Sequence, residues 1–479
     1  EVIDTEYSVR TALAILEDKS MLIEPVDPAI KERTPNIPGT DRVYSQYGLG
    51  LIFIFLPVIV IGKIIATLVQ IDQRIPIDFL LSFYNIPFAI LGLWFFRSIL
   101  LRLNATVEKA NLTVVLLAIT TAYWKYTTTD FSEITQAAFL LGALNAFLEP
   151  SPTKWRKISF WCALLVTIKI VFVLLLPIFA AFAWIGRNED PISKRSISRV
   201  CDFCIFVIPV GLALAVANYL RFGNSMETGY GAEATSFSWQ FFRRDWFDYL
   251  FSTQRGIITY NPILLLAVPG WFLVPSKHRK FANLCALILA AWFLLMCFWK
   301  SYQGGWCWGN RLLVPIIPIF FIPFIFVPIK SYSAKLILLS LSILSCTIQL
   351  AASCSKTHEC SILRQETKPF SKLATPNQLP STLLIFMHKL KDARPSYSTS
   401  LLGDPSSRII DLTSFESFFG LNLWPIHALK FLGFAPLCHK ASLVMIILIM
   451  AIISLLFYRY LISGLIIKSH MNNLDLTRS

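Results

Sequence analysis

The sequence predicts an all-α polytopic membrane protein, and three observations carry this prediction. Of its 479 residues, 55% are hydrophobic and only 15% are charged, a composition typical of membrane proteins rather than of several soluble domains. Apolar runs of the length needed to cross a bilayer recur along the chain. The basic residues behind the net charge of +14 cluster in the short loops between these runs. They therefore indicate membrane orientation and not a nucleic-acid partner.

The charges of the loops orient the predicted spans. Basic loops at Arg97 to Lys109, Lys154 to Lys157 and Lys277 to Lys280 are predicted to be cytoplasmic. Because the chain changes side of the membrane at each span, these loops give roughly eleven spans, with the first residue outside and the last inside. The predicted spans are Leu80–Phe96, Leu112–Trp124, Ile134–Phe147, Ile158–Trp184 (two passes), Val200–Leu220, Pro262–Val274, Leu284–Trp299, Leu313–Val327, Leu336–Ala352 and Leu443–Leu461.

The run Leu51 to Gln70 is also long enough to cross. If both this run and Leu80–Phe96 crossed, the N-terminal stretch would be cytoplasmic. The loop charges therefore favour a juxtamembrane or re-entrant helix here, with an ordinary span as the alternative.

The segment Ile158 to Trp184 is too long for one straight helix, and both of its flanks are basic. The chain is therefore expected to go out and come back, with its turn near Lys169, the only charge in the run. A charge at the bilayer centre costs about 2.5–3.5 kcal/mol and usually marks a partner or a polar cavity. A lysine that reaches to the outer surface is the alternative.

These assignments divide the chain into four parts. Residues 1–79 form a first external loop with juxtamembrane helices, and residues 80–352 form a transmembrane bundle with external loops. Residues 353–440, polar and containing Ser and Pro, form an external loop or small subdomain. Residues 441–479 are a last transmembrane helix and a cytoplasmic tail. Because Glu1 is not an initiator methionine, we expect a cleaved signal or a first spanning helix upstream.

Polar side chains from separate loops collect on the predicted outer side. A carboxylate there can take a proton from an attacking hydroxyl, and Arg or Lys can neutralise a phosphate leaving group. The outer polar groups are Asp4, Glu6, Tyr44 to Gly50, Lys125 to Glu133, Lys169, Arg255, Gly256 and Trp306 to Arg311.

Each group also has a simpler interpretation. Asp4 could cap a helix that begins near Tyr7, and Asp130 could start a helix. Arg311 could be an interface anchor beside an aromatic belt formed by Trp306 and Trp308. No metal-ligand spacing, phosphate-binding glycine loop or Ser-His-Asp signature is present.

Several of these motifs, taken in order, resemble the GT-C membrane glycosyltransferases, in particular protein O-mannosyltransferases and the aminoarabinose transferase that modifies lipid A. Asp4-Thr5-Glu6-Tyr7 looks like the catalytic acidic motif that these enzymes carry on a juxtamembrane helix of the first external loop, although Thr5 separates the two acids. Tyr44 to Gly50 and the helix with Pro57 look like the end of that loop. The other matching motifs are Tyr126 to Glu133 (the second acidic loop), Thr167 to Lys169, Gln254 to Gly256, Tyr260 to Pro262 and Gly304 to Leu313.

The resemblance implies a GT-C-like helical bundle that moves a sugar from a polyprenyl phosphate to an acceptor hydroxyl or amine, with inversion, at the outer face of a bacterial inner membrane. The acceptor is open: a protein, a lipid or a glycan. Asp4, Glu6 and Asp130 would be catalytic, and Asp4 with Glu6 could bind a divalent ion. The substrate-binding residues would be Tyr44, Tyr47, Lys169, Arg255, Trp308 and Arg311.

Two other classes of protein fit the same residues. A transporter or flippase of a lipid-linked sugar would use the same cations but would not need Asp4. A non-catalytic membrane subunit would use the outer loops as a contact surface.

Overall fold

A computed structural model describes residues 3–23, 43–185, 194–230, 236–300 and 307–354, together with positions 379, 380, 382, 383, 444, 448 and 451. Nearly all regular structure in these residues is helical; the two β-bridges among them, Leu22 with Tyr44 and Phe237 with Trp299, are isolated. The predicted all-α class is therefore confirmed. The predicted parts 353–440 and 441–479, with the span Leu443–Leu461, lie almost wholly outside the described residues.

The helices follow the apolar runs of the sequence. We number the α-helices α1 Ile3–Glu17, α2 Leu49–Val69, α3 Arg74–Leu81, α4 Asn85–Arg102, α5 Val107–Thr120, α6 Ala122–Thr127, α7 Glu133–Phe147, α8 Lys154–Ile168, α9 Leu176–Trp184, α10 Lys194–Phe222, α11 Trp239–Phe251, α12 Ile257–Tyr260, α13 Val268–Phe272, α14 Arg279–Phe298, α15 Ile317–Phe321 and α16 Tyr332–Cys354. Short 3₁₀ helices cover Ile170–Leu175, Pro262–Ala267, Ser276–His278, Arg311–Ile316 and Ile322–Phe326.

Five helical stretches in the described part are long and apolar enough to cross a membrane: Leu49–Val69, Arg74–Arg102, Arg195–Phe222, Ser276–Phe298 and Tyr332–Ser353. The first contains the predicted juxtamembrane helix, so its placement beside the bilayer instead of across it stays a prediction. The other four stretches contain all or most of a predicted span.

Three predicted spans are not single regular helices. The run Leu112–Trp124 breaks at Thr121, because the Thr121 side chain accepts the amide of Tyr123 and caps a new helix, α6. The stretches Pro262–Phe272 and Arg311–Phe326 alternate between 3₁₀ and α geometry. Their prolines lack the amide that a continuous helix needs.

The predicted turn near Lys169 is confirmed. Helix α8 ends at Ile168, and Lys169 has an extended backbone with φ −150° and ψ 111°. The chain then returns through Ile170–Leu175 and α9, so that Phe182 packs 5.9 Å from the Phe147 ring, which also contacts Trp155 at the start of α8. The two ends of this segment therefore lie at the same level of the bundle.

The centre of the bundle consists of α4, α7 and α8 packed side by side. Gly142 of α7 lies directly against the Trp161 ring of α8. The Phe88 ring of α4 meets Phe139 edge-on at 5.8 Å. Nearly every side chain of α7 is buried, so this helix lies in the middle of the bundle.

A second apolar cluster joins α1, α2 and α3. Phe55 of α2 meets Tyr84, just before α4, edge-on at 4.9 Å. Val9 of α1 packs into the same cluster. At the start of α2, Gly48 and Gly50 lie against the backbone of Thr167 and Ile168. The N-terminal helices are thus fixed at the end of the bundle where α8 ends and α4 begins.

We predict that Gly48→Ala destabilises the protein by about 1–3 kcal/mol, as other overpacked sites do. A Cβ at this position would overlap the carbonyl oxygen of Ile168, which is backbone and has little freedom to move. Gly211→Ala is the matched control, because nothing lies within 4 Å of its Cβ position in α10, and it should stabilise by about 0.5–1 kcal/mol. Thermal unfolding in detergent measures both. Equal midpoints for the two variants would contradict this close packing.

Candidate functional site

The N-terminal end of α1 docks on the loop that contains Asp130. The Thr5 hydroxyl donates to the Asp130 carbonyl at 3.0 Å, and the Tyr84 hydroxyl donates to the same carbonyl at 3.1 Å. Asp4 lies in the first turn of α1, although its side chain is not among those described. Because α1 already begins at Ile3, the alternative in which Asp4 caps a helix starting near Tyr7 is wrong. The structure thus brings the backbone of the first acidic motif to the second acidic loop.

Asn85 holds that loop in place. Its amide nitrogen lies within hydrogen-bonding distance of three backbone carbonyls, at 3.3 Å from Tyr126, 2.7 Å from Thr129 and 2.6 Å from Phe131. Its amide oxygen accepts the Thr135 hydroxyl at 3.2 Å. Asn85 is fully buried, and its bond to the Phe131 carbonyl is buried as well, so this carbonyl depends on the side chain for a donor. The sequence analysis missed Asn85, whose only signal is a polar residue at the start of an apolar run.

Glu6 is paired with two arginines. Its carboxylate accepts Arg10 Nε at 2.7 Å and Arg74 Nη2 at 2.6 Å, one guanidinium on each oxygen. Burial by itself raises the pKa of Glu6, but the hydrogen bonds and charges of the two arginines outweigh burial and hold the pKa below its ordinary value of 4.5. Glu6 is therefore ionised and connects α1 to α3.

The surroundings of Glu6 do not suit a divalent cation. Both carboxylate oxygens already accept from cations, and a metal would bring a third positive charge beside them. Among the described residues, no group of three or more His, Cys, Asp or Glu side chains could hold a metal ion. We therefore assign no metal to Glu6.

Lys169 lies beside the loop that precedes α2. Gly48 and Gly50 approach the last residues of α8 so closely that no side chain fits between them. This contact places Tyr47 next to the end of α8 and therefore near Lys169. The structure thus brings together two backbone segments that lie more than one hundred positions apart in the sequence.

The predicted tyrosines belong to an aromatic cluster. Tyr47 lies between Tyr7 and Tyr230, with ring centroids 6.3 and 6.4 Å away. Tyr44 meets Phe222 edge-on at 6.2 Å. Sequence reasoning did not single out Tyr7 as a site residue, although it is the last residue of the acidic motif.

The segment from Cys307 to Arg311 packs against Arg255. Arg255 Nη1 lies 3.3 Å from Cys307 Sγ and 3.4 Å from the Gly309 carbonyl oxygen. The Trp308 ring meets Tyr260 edge-on at 4.7 Å. Trp308 is only 6% exposed, so its assignment to an aromatic belt at the membrane surface is wrong; Trp306 lies outside the described residues.

Arg311 reaches the second acidic loop. Its guanidinium lies 4.5 Å from the centroid of the Phe131 ring, a cation–π contact. The Tyr126 hydroxyl donates to the Trp308 carbonyl at 2.7 Å. Burial raises the pKa of Tyr126 well above its ordinary value; Cys307 and Glu133 add to this shift and Arg311 opposes it. Tyr126 is therefore a neutral donor that ties the two loops together.

One buried tryptophan connects Lys169 with Arg311. The Phe172 ring, three residues after Lys169, stacks on Trp292 at 4.1 Å. Trp292 Nε1 donates to the carbonyl of Leu312, which directly follows Arg311, at 2.7 Å. Chain segments that carry Lys169, Arg311, Asp130 and Asp4 thus form a continuous series of contacts at one end of the bundle.

Three solved structures are similar to this chain. The crystal structure of ArnT from Cupriavidus metallidurans bound to undecaprenyl phosphate is similar with a TM-score of 0.50 and 11% sequence identity, over 81% of this chain and 66% of that chain. The Archaeoglobus fulgidus oligosaccharyltransferase in its apo form gives a TM-score of 0.45 at 12% identity, over 78% and 56% of the two chains. The same organism's AglB, in complex with an inhibitory peptide and a dolichol-phosphate, gives 0.42 at 11% identity, again over 78% and 56%.

The likeness to ArnT defines the class of fold. The chain is an integral membrane protein with the GT-C fold of membrane glycosyltransferases. It spans slightly less than two thirds of the length of the ArnT chain. No family model and no curated protein sequence matches it.

We predict that Asn85→Ala lowers the unfolding midpoint clearly, because it removes the donor of the buried Phe131 carbonyl, and an unsatisfied buried group costs about 1–3 kcal/mol. Asn111→Ala is the control, since Asn111 is exposed and its side chain accepts only from Arg97 Nε. Thermal unfolding in detergent compares the two. An unchanged midpoint for Asn85→Ala would show that the loop does not depend on this amide.

We predict that Glu6→Gln lowers the stability of the fold and that this effect depends on pH. Since the pKa of Glu6 is lowered in the folded state, its stabilisation is fully present above pH 4.5 and is lost as pH falls through the lowered value. The wild type should therefore be more stable than the variant at neutral pH and lose this advantage in acid. Glu108→Gln, at an exposed position in the first turn of α5, should give a much smaller difference. Thermal unfolding in detergent measures the three proteins. A difference in midpoint between wild type and Glu6→Gln that stays constant from pH 7 to pH 3 would refute the ion-pair role.

Proposed function

We propose that this protein transfers a sugar from a polyprenyl-phosphate donor to an acceptor hydroxyl or amine at the outer face of the membrane. One observation carries the proposal. The two acidic motifs and three cationic segments, distant in sequence, pack together in a bundle with the GT-C fold. The ArnT structure, which has this fold, holds undecaprenyl phosphate. A bacterial inner membrane, with the site facing outward, suits such a donor.

In the proposed reaction, Asp4 takes the proton from the acceptor. The acceptor oxygen or nitrogen attacks the anomeric carbon of the sugar as the bond from that carbon to the phosphate oxygen breaks. The electron pair of this bond leaves with the polyprenyl phosphate. Attack from the side opposite the leaving group inverts the configuration at the anomeric carbon.

The cations stabilise the charge that develops on the leaving phosphate. Arg255 and Arg311 offer planar guanidinium groups that can bind two phosphate oxygens at once, whereas Lys169 contributes a compact point charge. Arg255 is 6% exposed, and a charge at a site shielded from water acts more strongly than one in solvent. Tyr44, Tyr47 and the buried Trp308 form the aromatic surroundings of the substrate.

The three acids have different roles in this proposal. Glu6 fastens α1 to α3 through Arg74 and so positions Asp4, two residues away on the same helix. Asp130 belongs to the loop on which the N-terminal end of α1 docks. It supplies a second carboxylate beside the acceptor.

We predict that Asp4→Asn lowers sugar transfer about 10²–10⁴-fold, the usual contribution of a general base. The variant should fold normally, with an unchanged thermal midpoint. Asp18→Asn is the control, because Asp18 is exposed just beyond the far end of α1. Transfer of sugar from a radiolabelled undecaprenyl-phosphate donor, in vesicles containing the purified protein, measures both.

Full transfer by Asp4→Asn would end the assignment of Asp4. Translocation of the lipid-linked sugar between leaflets, without transfer and without any effect of Asp4→Asn, would indicate a flippase instead. Absence of both transfer and translocation in the wild type, together with co-purification of fixed partners, would indicate a non-catalytic subunit.

A further inference from the structure

The segment from Cys307 to Arg311, which packs against Arg255, carries buried polar atoms that have no hydrogen-bond partner in the bundle. Trp308 is 6% exposed and Asn310 is 7% exposed. Within the described residues, Trp308 Nε1 and both amide atoms of Asn310 have no hydrogen-bond partner. Buried polar groups are normally hydrogen-bonded, so this exception calls for an explanation.

Asn310 does not serve the helix that follows it. It occupies the capping position before the 3₁₀ helix Arg311–Ile316, where asparagine is favoured because its side chain can accept a backbone amide. The Asn310 side chain makes no such bond. The Tyr249 hydroxyl lies beside the Asn310 amide, but its proton is donated to the Met296 carbonyl at 3.1 Å. It therefore gives the Asn310 amide oxygen no donor, and that oxygen has no structural partner to account for its burial.

Asn261 provides an internal comparison. It is also buried, at 2% exposure, and also precedes a 3₁₀ helix, Pro262–Ala267. Its amide oxygen accepts the amide of Ala122 at 2.5 Å, and its amide nitrogen donates to the Ile257 carbonyl at 2.7 Å. The same residue type in the same local setting is thus fully satisfied at 261 and unsatisfied at 310.

The chemistry of these atoms selects the ligand. An amide donates and accepts at once, and a hydroxyl group does the same, so the two are matched. A phosphate at neutral pH is mainly an acceptor; it suits the arginines and Trp308 Nε1 but would leave the Asn310 oxygen without a donor. A group with several hydroxyls fits all three atoms.

We infer that Asn310 and Trp308 bind hydroxyl groups of the donor sugar, next to the phosphate between Arg255 and Arg311. This inference rests on the proposed function and names its sugar-recognition residues. Gly309, at φ +56°, turns the chain between the two side chains. The Tyr126 hydroxyl fixes the Trp308 carbonyl, and Arg255 contacts the carbonyl of Gly309. The backbone that carries the two side chains is therefore held in place before the sugar arrives, which lowers the entropic cost of binding.

Binding of lipids with and without a sugar separates this role from a structural one. The probes are undecaprenyl phosphate, undecaprenyl-phosphate-linked hexoses and their deoxy analogues, each lacking one hydroxyl. Asn310→Leu keeps the size of the side chain and removes its polar atoms. It should lower the affinity for the sugar-bearing lipids about tenfold, the effect of one or two lost neutral hydrogen bonds. The affinity for undecaprenyl phosphate should stay unchanged. It should also bind one deoxy analogue as tightly as the full sugar.

Two further variants complete the test. Trp308→Phe keeps an aromatic ring but removes the N–H donor, so it should lower the affinity for the sugar-bearing lipids severalfold. This variant also tests the inference if Asn310→Leu does not fold. Asn261→Leu is the control and should lower the thermal midpoint without changing the preference for the sugar. Asn310→Leu should lower that midpoint much less than Asn261→Leu does, because the Asn310 amide oxygen has no internal donor to lose.

The outcomes are distinguishable. If Asn310→Leu loses equal affinity for sugar-bearing and sugar-free lipid, or loses affinity for neither, the inference is overturned and the proposed function is unaffected. A wild type that binds no lipid phosphate at all overturns both.

Discussion

The structure depends on one constraint: backbone groups inside an apolar bundle must find hydrogen-bond partners without water. The loop from Tyr126 to Phe131 does not form a continuous helix, and the buried amide of Asn85 supplies donors to its carbonyls. The same loop receives Thr5 from the first helix and the guanidinium of Arg311 from a distant segment. Irregular backbone at this position therefore creates the docking surface on which the candidate site assembles.

Prolines have a related effect on the cationic side of the site. The stretches Pro262–Phe272 and Arg311–Phe326 cannot form uninterrupted α-helices, since each contains residues without a backbone amide. Their broken geometry needs side-chain partners; in the first stretch, the Ser345 hydroxyl accepts the amide of Ile263. Because one such stretch starts at Arg311 and the other follows soon after Arg255, both arginines lie where the helices are irregular. The charged side chains can be buried inside the bundle there, as Arg255 is, whereas a regular lipid-facing helix would leave them exposed to hydrocarbon.

Charge in the loops and length of the apolar runs predicted much of the fold. The out-and-back path around Lys169 followed from basic residues on both flanks, and the structure has that turn. The break at Thr121 was missed, because a threonine inside an apolar run gives no strong stop signal until its hydroxyl caps the next helix. The burial of Trp308 was also missed, since tryptophan near a predicted membrane surface is equally typical of an interfacial belt.

The sequence by itself determined the membrane class, the order of the helices and which loops carry acids and cations, because these follow from composition and local charge. Only the tertiary structure decided the partners: Glu6 meets two arginines, Asn85 binds the acidic loop, and Trp292 connects the turn after Lys169 with the segment after Arg311. Such contacts join residues tens to hundreds of positions apart. Their geometry is set by how whole helices pack, and no local pattern of residue types records it.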